Sequence, residues 1–451
     1  MKIISSTMML GFILAINISA QAASVDLAHI FDLAVENDPQ VSAAEAVFLS
    51  RSEVVNQTRA GILPNINVSS SFSDTTRTYP NTNIPDYPYD TTAWQATLSQ
   101  PLFRLDRWYR FKQSKNIKAQ AQALFTAEQQ ALIVRVAESY LNILEAQDGL
   151  ESARAERNAV KRQLEQVQQR FDVGLVAITD VLESTAAFDS STVNVIEAEG
   201  VQASSFEPLV RLTGRKFTSI SALNENFPVK YPDPMDEQQW VEAALIKNTS
   251  VLATQAAVKI AEKQIQISKS NYLPTLDAQL LWQSQETGNN FSAGSETEQQ
   301  AMAFSLNIPV FSGGATRSAV KQSRFDLQEA LSNLDLTQRQ TAENTRELFI
   351  AITTDVARVR ARLRGIESSR SALEAVQTGY EVGTRNIVDV LLAQQRLFLS
   401  EFQFASAKYR YINDTLRLKQ MVGTLSPEDI YELNHFIDVN QQVEQVLPTT
   451  R

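Results

Sequence analysis

The sequence predicts a mixed membrane α+β fold, in which β-hairpins destined for a barrel are continued by a long antiparallel α-helical coiled coil. Three observations carry this reading. Two stretches, FDVGLVAITDVL (Phe171–Leu182) and YEVGTRNIVDVL (Tyr380–Leu391), align without a gap 209 residues apart, so the chain reads as two copies of one unit. Proline is absent from Leu102 to Glu207 and from Val310 to Ser426. Around these spans, four segments switch to an apolar/polar period of two.

The first 22 residues, MKIISSTMMLGFILAINISAQA, carry one charge (Lys2), an apolar run and small residues at Ala20 and Ala22. They are expected to be a cleaved secretory signal, because the run is short for a spanning helix and polar sequence follows at once. No later stretch reaches the roughly 18 uninterrupted apolar residues of a transmembrane helix.

From residue 23 to 212 the first repeat begins with helical spacing at Leu27, Ile30, Phe31, Ala34 and Val35, broken at Asn37-Asp38-Pro39. Strands are expected at about 62–78 and 91–103, with Ile66, Val68 and Phe72 alternating with Asn65, Asn67, Ser69 and Ser71. A helix of 70 residues, 104–173, leads to a tip turn at 174–180. Residues 213–237, with Gly214, Pro228, Pro232 and Pro234, form an equatorial connection. The second repeat, 238–426, opens with one helix from Gln238 to Asn271. Its strands are expected at about 272–286 and 299–311, its long helix at 312–382 and its tip turn at 383–389. Leu276, Ala278, Leu280 and Trp282 face one way there, and Thr275, Asp277, Gln279 and Gln283 the other. Residues 427–451 form a C-terminal tail that should meet the equatorial connection.

Strands of this length and alternation suit an outer-membrane barrel with lipid on one side and water on the other. Four strands cannot close a barrel, and an open sheet edge has no hydrogen-bond partners in lipid. Several copies must therefore share one barrel. The helices are equally unlike a globular domain, since 70 residues at about 1.5 Å each span roughly 100 Å. Val160, Leu164, Val167 and Phe171 run into the first corner at 4-3-4 spacing, and Leu373, Val376 and Tyr380 into the second at 3-4, as coiled-coil seams do. Each long helix should be balanced by two shorter ones stacked end to end.

Composition excludes other classes. The 41 basic and 51 acidic side chains form no basic patch, which argues against a nucleic-acid partner. With no cysteine there is no disulfide scaffold or thiolate metal site, and two histidines, His29 and His435, do not make a catalytic centre. No phosphate-loop motif is present, because Gly313-Gly314 lacks the following Gly-Lys-Ser/Thr. No enzyme activity and no cofactor are expected, and energy for transport must come from a partner.

GLVAITDV (Gly174–Val181), VGTRNIVDVL (Val382–Leu391), the LSQPLF and LNIPVF strand ends and the duplication together resemble the TolC family of outer-membrane channel-tunnels. The resemblance covers almost the whole chain after the signal. It implies a homotrimer with a twelve-stranded barrel in outer-membrane lipid and a helical tunnel across the periplasm. A periplasmic adaptor and an inner-membrane efflux or ABC transporter would dock at its closed tip. It assigns the tip latch to Asp180, Tyr380 and Arg385, with Thr179 beside them, the aperture ring to Asp389 and the tip turns to Gly174 and Gly383. Relatives with a double aspartate ring carry a second carboxylate three residues on, where this chain has Leu392, so weaker cation binding at the aperture is expected. Without the resemblance, Arg385 and Asp389 read as a local pair four apart on a helix.

The function so implied is a passive, gated exit duct for efflux pumps and type I secretion. Two rivals are a duct dedicated to one toxin or metal ion and a trimeric coiled-coil surface anchor or adhesin. Six methionines, three of them in the signal (Met1, Met8, Met9), argue against a methionine-lined copper route.

Overall fold

Proline, glycine and the apolar period decide where each element starts and stops. The computed structural model describes residues 25–446 apart from positions 82, 225, 226, 290 and 291, so the expected signal and the last five residues of the expected tail lie outside the described residues. Helix α1 (Leu27–Asn37) ends at Asp38, whose carboxylate then caps α2 (Pro39–Ala60) by accepting from the Gln40 and Val41 amides. Pro39 occupies the first turn of α2, where its missing N–H costs nothing. Leu63-Pro64 follows, and the period changes.

Strands β1 (Asn65–Arg77) and β2 (Tyr87–Phe103) pair antiparallel, and so do β4 (Thr275–Asn289) and β5 (Ser292–Asn307) in the second repeat. The two hairpins join through β2 and β4 into one sheet of order β1-β2-β4-β5. Its register lines up like with like. Ile66, Leu98, Leu280 and Met302 form one row on the apolar face, and Ser69, Gln95, Gln283 and Gln299 a row on the polar face. The apolar face is bare, with Ile66 68% and Met302 65% exposed. The strands of the second hairpin reach closer together than the sequence reading placed them, with β4 running to Asn289 rather than about 286. Strand β5 begins at Ser292 rather than near 299, since alternation there gives way to Gly, Ser and Glu while backbone pairing continues.

The long helices are α3 (Leu105–Asp172) and α8 (Ala315–Glu381), of 68 and 67 residues. On the strand side, α2 and α7 (Thr249–Ser270) pack along α3, and α7 also packs on α8. On the other side, α4 (Ile178–Ser205) packs on α3, and α9 (Ile387–Val422) on both α8 and α3. The single helix expected from Gln238 to Asn271 is instead two, α6 (Glu237–Lys247) and α7. Asn248 breaks it by capping α7 through the Ser250 and Val251 amides while its Nδ2 donates to the Met421 carbonyl. Helix α4 likewise gives way at Phe206 to α5 (Glu207–Thr213), which has Pro208 in its first turn.

Between the two halves lies the main core. It gathers Leu27 and Ile30 of α1, Leu132 to Leu144 of α3, Leu209 of α5, Val356 of α8 and Leu416 of α9. A small sheet closes it, made by β3 (Ser219–Leu223) and β6 (Ile437–Glu444), with Val25 bridging to Ile220. The Tyr140 hydroxyl, fully buried in α3, donates to the Ser221 carbonyl of β3. Helix α10 (Pro427–Asn434) adds Ile430 and Leu433 from the tail. Among the described residues no helix is long and apolar enough to cross a membrane.

Gly423 ends α9 with φ +79°, and a Cβ there would lie 2.3 Å from the Lys247 carbonyl at the α6–α7 break. Gly423→Ala is expected to cost about 2–4 kcal/mol, from the left-handed backbone and the forced displacement together. Gly200→Ala, in open space inside α4, should be neutral or slightly stabilising. Unfolding midpoints of the purified protein in detergent check the contrast, and equal midpoints would remove Gly423 as a packing constraint.

Candidate gate at the helical tip

The far ends of the two helical hairpins are built alike. In the first, the Leu175 amide donates to the Arg170 carbonyl and the Gly174 amide to Phe171, and in the second Thr384 donates to Gly379 and Gly383 to Tyr380. Both are paired αL helix stops with a glycine at φ +78°, where a side chain would be strained. That is the physical content of Gly174 and Gly383. The following helices, α4 and α9, each present an aspartate three residues past their caps: Asp180 after Ala177, and Asp389 after Asn386.

An apolar cluster welds the two corners together. Val167, Val181, Tyr380, Ile387 and Val390 are buried there, with Phe171, Val176, Val376 and Leu391 packed around them. Ile387 is only 1% exposed at the end of a rod that is otherwise largely wet. Tyr380 gives its ring to this cluster, and the Arg170 guanidinium sits 5.2 Å from the ring centroid. Its hydroxyl is buried yet has no hydrogen-bond partner among the described residues.

Within one chain, Arg385 is brought to Asp389, at 3.8 Å, and not to Asp180. Asp389 also closes a capping box, with its amide on Asn386 Oδ1 at 2.8 Å and its Oδ2 facing the Asn386 amide at 3.5 Å. Among the described residues, the Asp180 carboxylate has only the Thr179 hydroxyl, at 3.4 Å. Leu392, one turn beyond Asp389, is 45% exposed. Two residues here escaped the sequence reading. Gly379 is needed because a Cβ would lie 2.7 Å from Arg385 Cγ, and Arg170 because it covers the Tyr380 ring. The seam spacing that marked Phe171 and Tyr380 says nothing of either contact. Among the described residues, no group of three or more acidic or histidine side chains converges as a metal site.

The first corner lacks a side-chain cap, since Ala177 stands where the second has Asn386. Asn386→Ala is therefore expected to destabilise the start of α9 by about 1 kcal/mol. Amide exchange at residues 387–390 should quicken while α8 is unaffected, and unaltered exchange would show that the box does not hold the corner.

With this geometry in view, comparison with known proteins is direct. The profile described as "Outer membrane efflux protein" matches residues 30–215 and 240–424. The chain is similar to the outer membrane protein TolC of Vibrio cholerae serotype O1, 33% identical over 423 residues, covering 92% of this chain and 95% of the relative. It is also similar to the alkaline protease secretion protein AprF of Pseudomonas aeruginosa, 29% identical over 89% of this chain and 85% of that one. The crystal structure of the Campylobacter jejuni CmeC outer membrane channel superposes with a TM-score of 0.75, over 92% of this chain and 90% of that one at 17% identity. The sheet with its bare apolar face, the paired rods and the matched segments in both repeats lead to one conclusion: this chain belongs to the outer membrane efflux protein family, the TolC-type export channels of the Gram-negative outer membrane.

Proposed function

We propose that three copies of this chain assemble into one gated exit duct, with four strands from each copy closing a twelve-stranded barrel and the helices forming a tunnel into the periplasm. The observation that carries this is the sheet. It has an exposed apolar face, a polar face without charge in its central rows, and two unpaired edges, β1 and β5. Lipid can cover the face but cannot satisfy the edges, whereas β5 of one copy can pair with β1 of the next.

The duct is passive. An inner-membrane transporter supplies the energy and a periplasmic adaptor joins it to the tip, serving efflux and, as the likeness to a protease secretion protein supports, protein export by a type I system. Across the trimer axis, Asp180 of one copy faces Arg385 and Tyr380 of another, with Thr179 alongside. Tyr380 brings a buried hydroxyl without a hydrogen-bond partner among the described residues. Such links are worth at most about 1 kcal/mol each, enough in threefold to hold a latch and weak enough for docking to undo. Asp389 rings the aperture with Leu392 above it, and the single carboxylate ring favours cations.

Tyr380→Phe combined with Arg385→Ser is expected to raise single-channel conductance in planar bilayers, and unchanged conductance would remove both from the latch. A strain lacking the protein should lose drug resistance and protein export together. Loss of one alone would make this a line dedicated to a single exporter.

A further inference from the structure

A second polar constellation lies far from the tip, where α9 leans on α8 beside the main core. Asp355 of α8 and Asp414 of α9 are 1% and 7% exposed, and the Arg410 guanidinium stands within 4.0 Å of both carboxylates. Asp355 Oδ1 takes the Arg358 guanidinium, but Oδ2 is buried and receives no donor among the described residues. Asp414 has Arg410 at 3.7 Å and Arg417 at 3.8 Å, and Arg410 also stands 3.8 Å from Asp355. Among the ionisable groups of neighbouring elements, α3 offers Glu138, which is engaged by Arg417 at 2.6 Å. From α6, Glu237 is turned to Arg346 at 3.3 Å.

Two carboxylates cannot hydrogen-bond to each other, since both only accept. Asp355 Oδ2, buried beside that second carboxylate, is the oxygen placed to hold a proton. The arginines do not remove that need. Arg410 and Arg417 are half-exposed or more and sit beyond close contact, and only Arg358 approaches Asp355 directly. We propose that Asp355 and Asp414 form a proton-binding site that clamps α8 to α9 at the root of the second helical hairpin, and that release of the proton loosens this root. Burial pushes the Asp355 carboxyl up to about 6, Asp414 adds to the rise, and Arg358 opposes it. A carboxyl that holds its proton more tightly folded than unfolded stabilises the fold at low pH, and the contribution is lost as pH rises through its folded value. Above that value Arg410, the cation within 4 Å of both carboxylates, is the group placed to draw between them.

The same hairpin ends in the tip corner that carries Tyr380, Arg385 and Asp389, so a looser root gives the tip more freedom. That consequence rests on the gate reading, whereas the proton site stands on the geometry of one chain. Infrared difference spectra of the purified full-length channel in detergent, titrated from pH 5 to 8, should show a protonated-carboxyl band that fades near pH 6. The band should be missing in Asp355→Asn. That variant keeps the shape and a donor, so its unfolding midpoint should match the wild type below the ordinary carboxyl value of 3.8, pull ahead between there and pH 6, and exceed it at pH 8. No titrating band in the wild type, or parallel midpoint profiles for the two proteins, would overturn the proton site. A confirmed site with conductance indifferent to pH in both proteins would leave the gate reading untouched and remove the coupling to the tip.

Discussion

A β-sheet in lipid must have no edges, because backbone N–H and C=O groups find no partner in hydrocarbon. This chain supplies a sheet with two, and everything else follows from that deficit. The four strands are too few to curl into a closed barrel of their own. They are nonetheless registered as members of one, with apolar rows in line across both hairpins and a glutamine-serine row behind them. Pairing β2 with β4 keeps the rows aligned, because their antiparallel register sets the faces of the two hairpins the same way.

The helices solve a different problem. A rod of 68 residues cannot wrap around a core, and α3 is buried mainly along Leu132 to Leu150 and again near the tip at Val160 and Val167. Packing is thus concentrated in two places, the equatorial core and the five-residue tip cluster. Between them the rods rely on their own hydrogen bonds and on Ala-, Ser- and Gln-rich seams. Two anchored ends with a lightly packed span between them can shift at the tip without melting the middle, and a gate has this mechanical requirement.

Much of this was legible in the sequence. Proline-free spans give the rods to within a few residues, and the change of period gives the strands, because both signals are local. The Asp38-Pro39 break was visible through its proline. Its counterpart at Asn248 was not, although it sits 210 residues on, because there the chain turns on a side-chain cap and a bond to Met421, a residue 173 positions away. Gly379 and Gly423 were opaque for the same reason, since the atoms that forbid a Cβ belong to Arg385 and Lys247. At the tip, the motif marked Asp389 as an aperture carboxylate but gave no sign that Asn386 would also engage it as a cap.

That cap sharpens the difference between the duplicated corners. Both carry an aspartate at the third helical position, yet one follows Asn386 and Arg385 and the other Ala177 and Val176. Asp389 is engaged at home, by the cap and by a guanidinium 3.8 Å away. Among the described residues Asp180 has neither, its carboxylate meeting only the Thr179 hydroxyl, which leaves it available for the proposed contact with another copy. Arg385 therefore stands between two carboxylates, one on its own helix and one proposed on the next copy. In the proposed latch, what counts is the difference between those two exposed pairings rather than the strength of either. A difference between two weak terms is small and easily reversed, so a partner docking nearby need only tilt the choice to open the mouth.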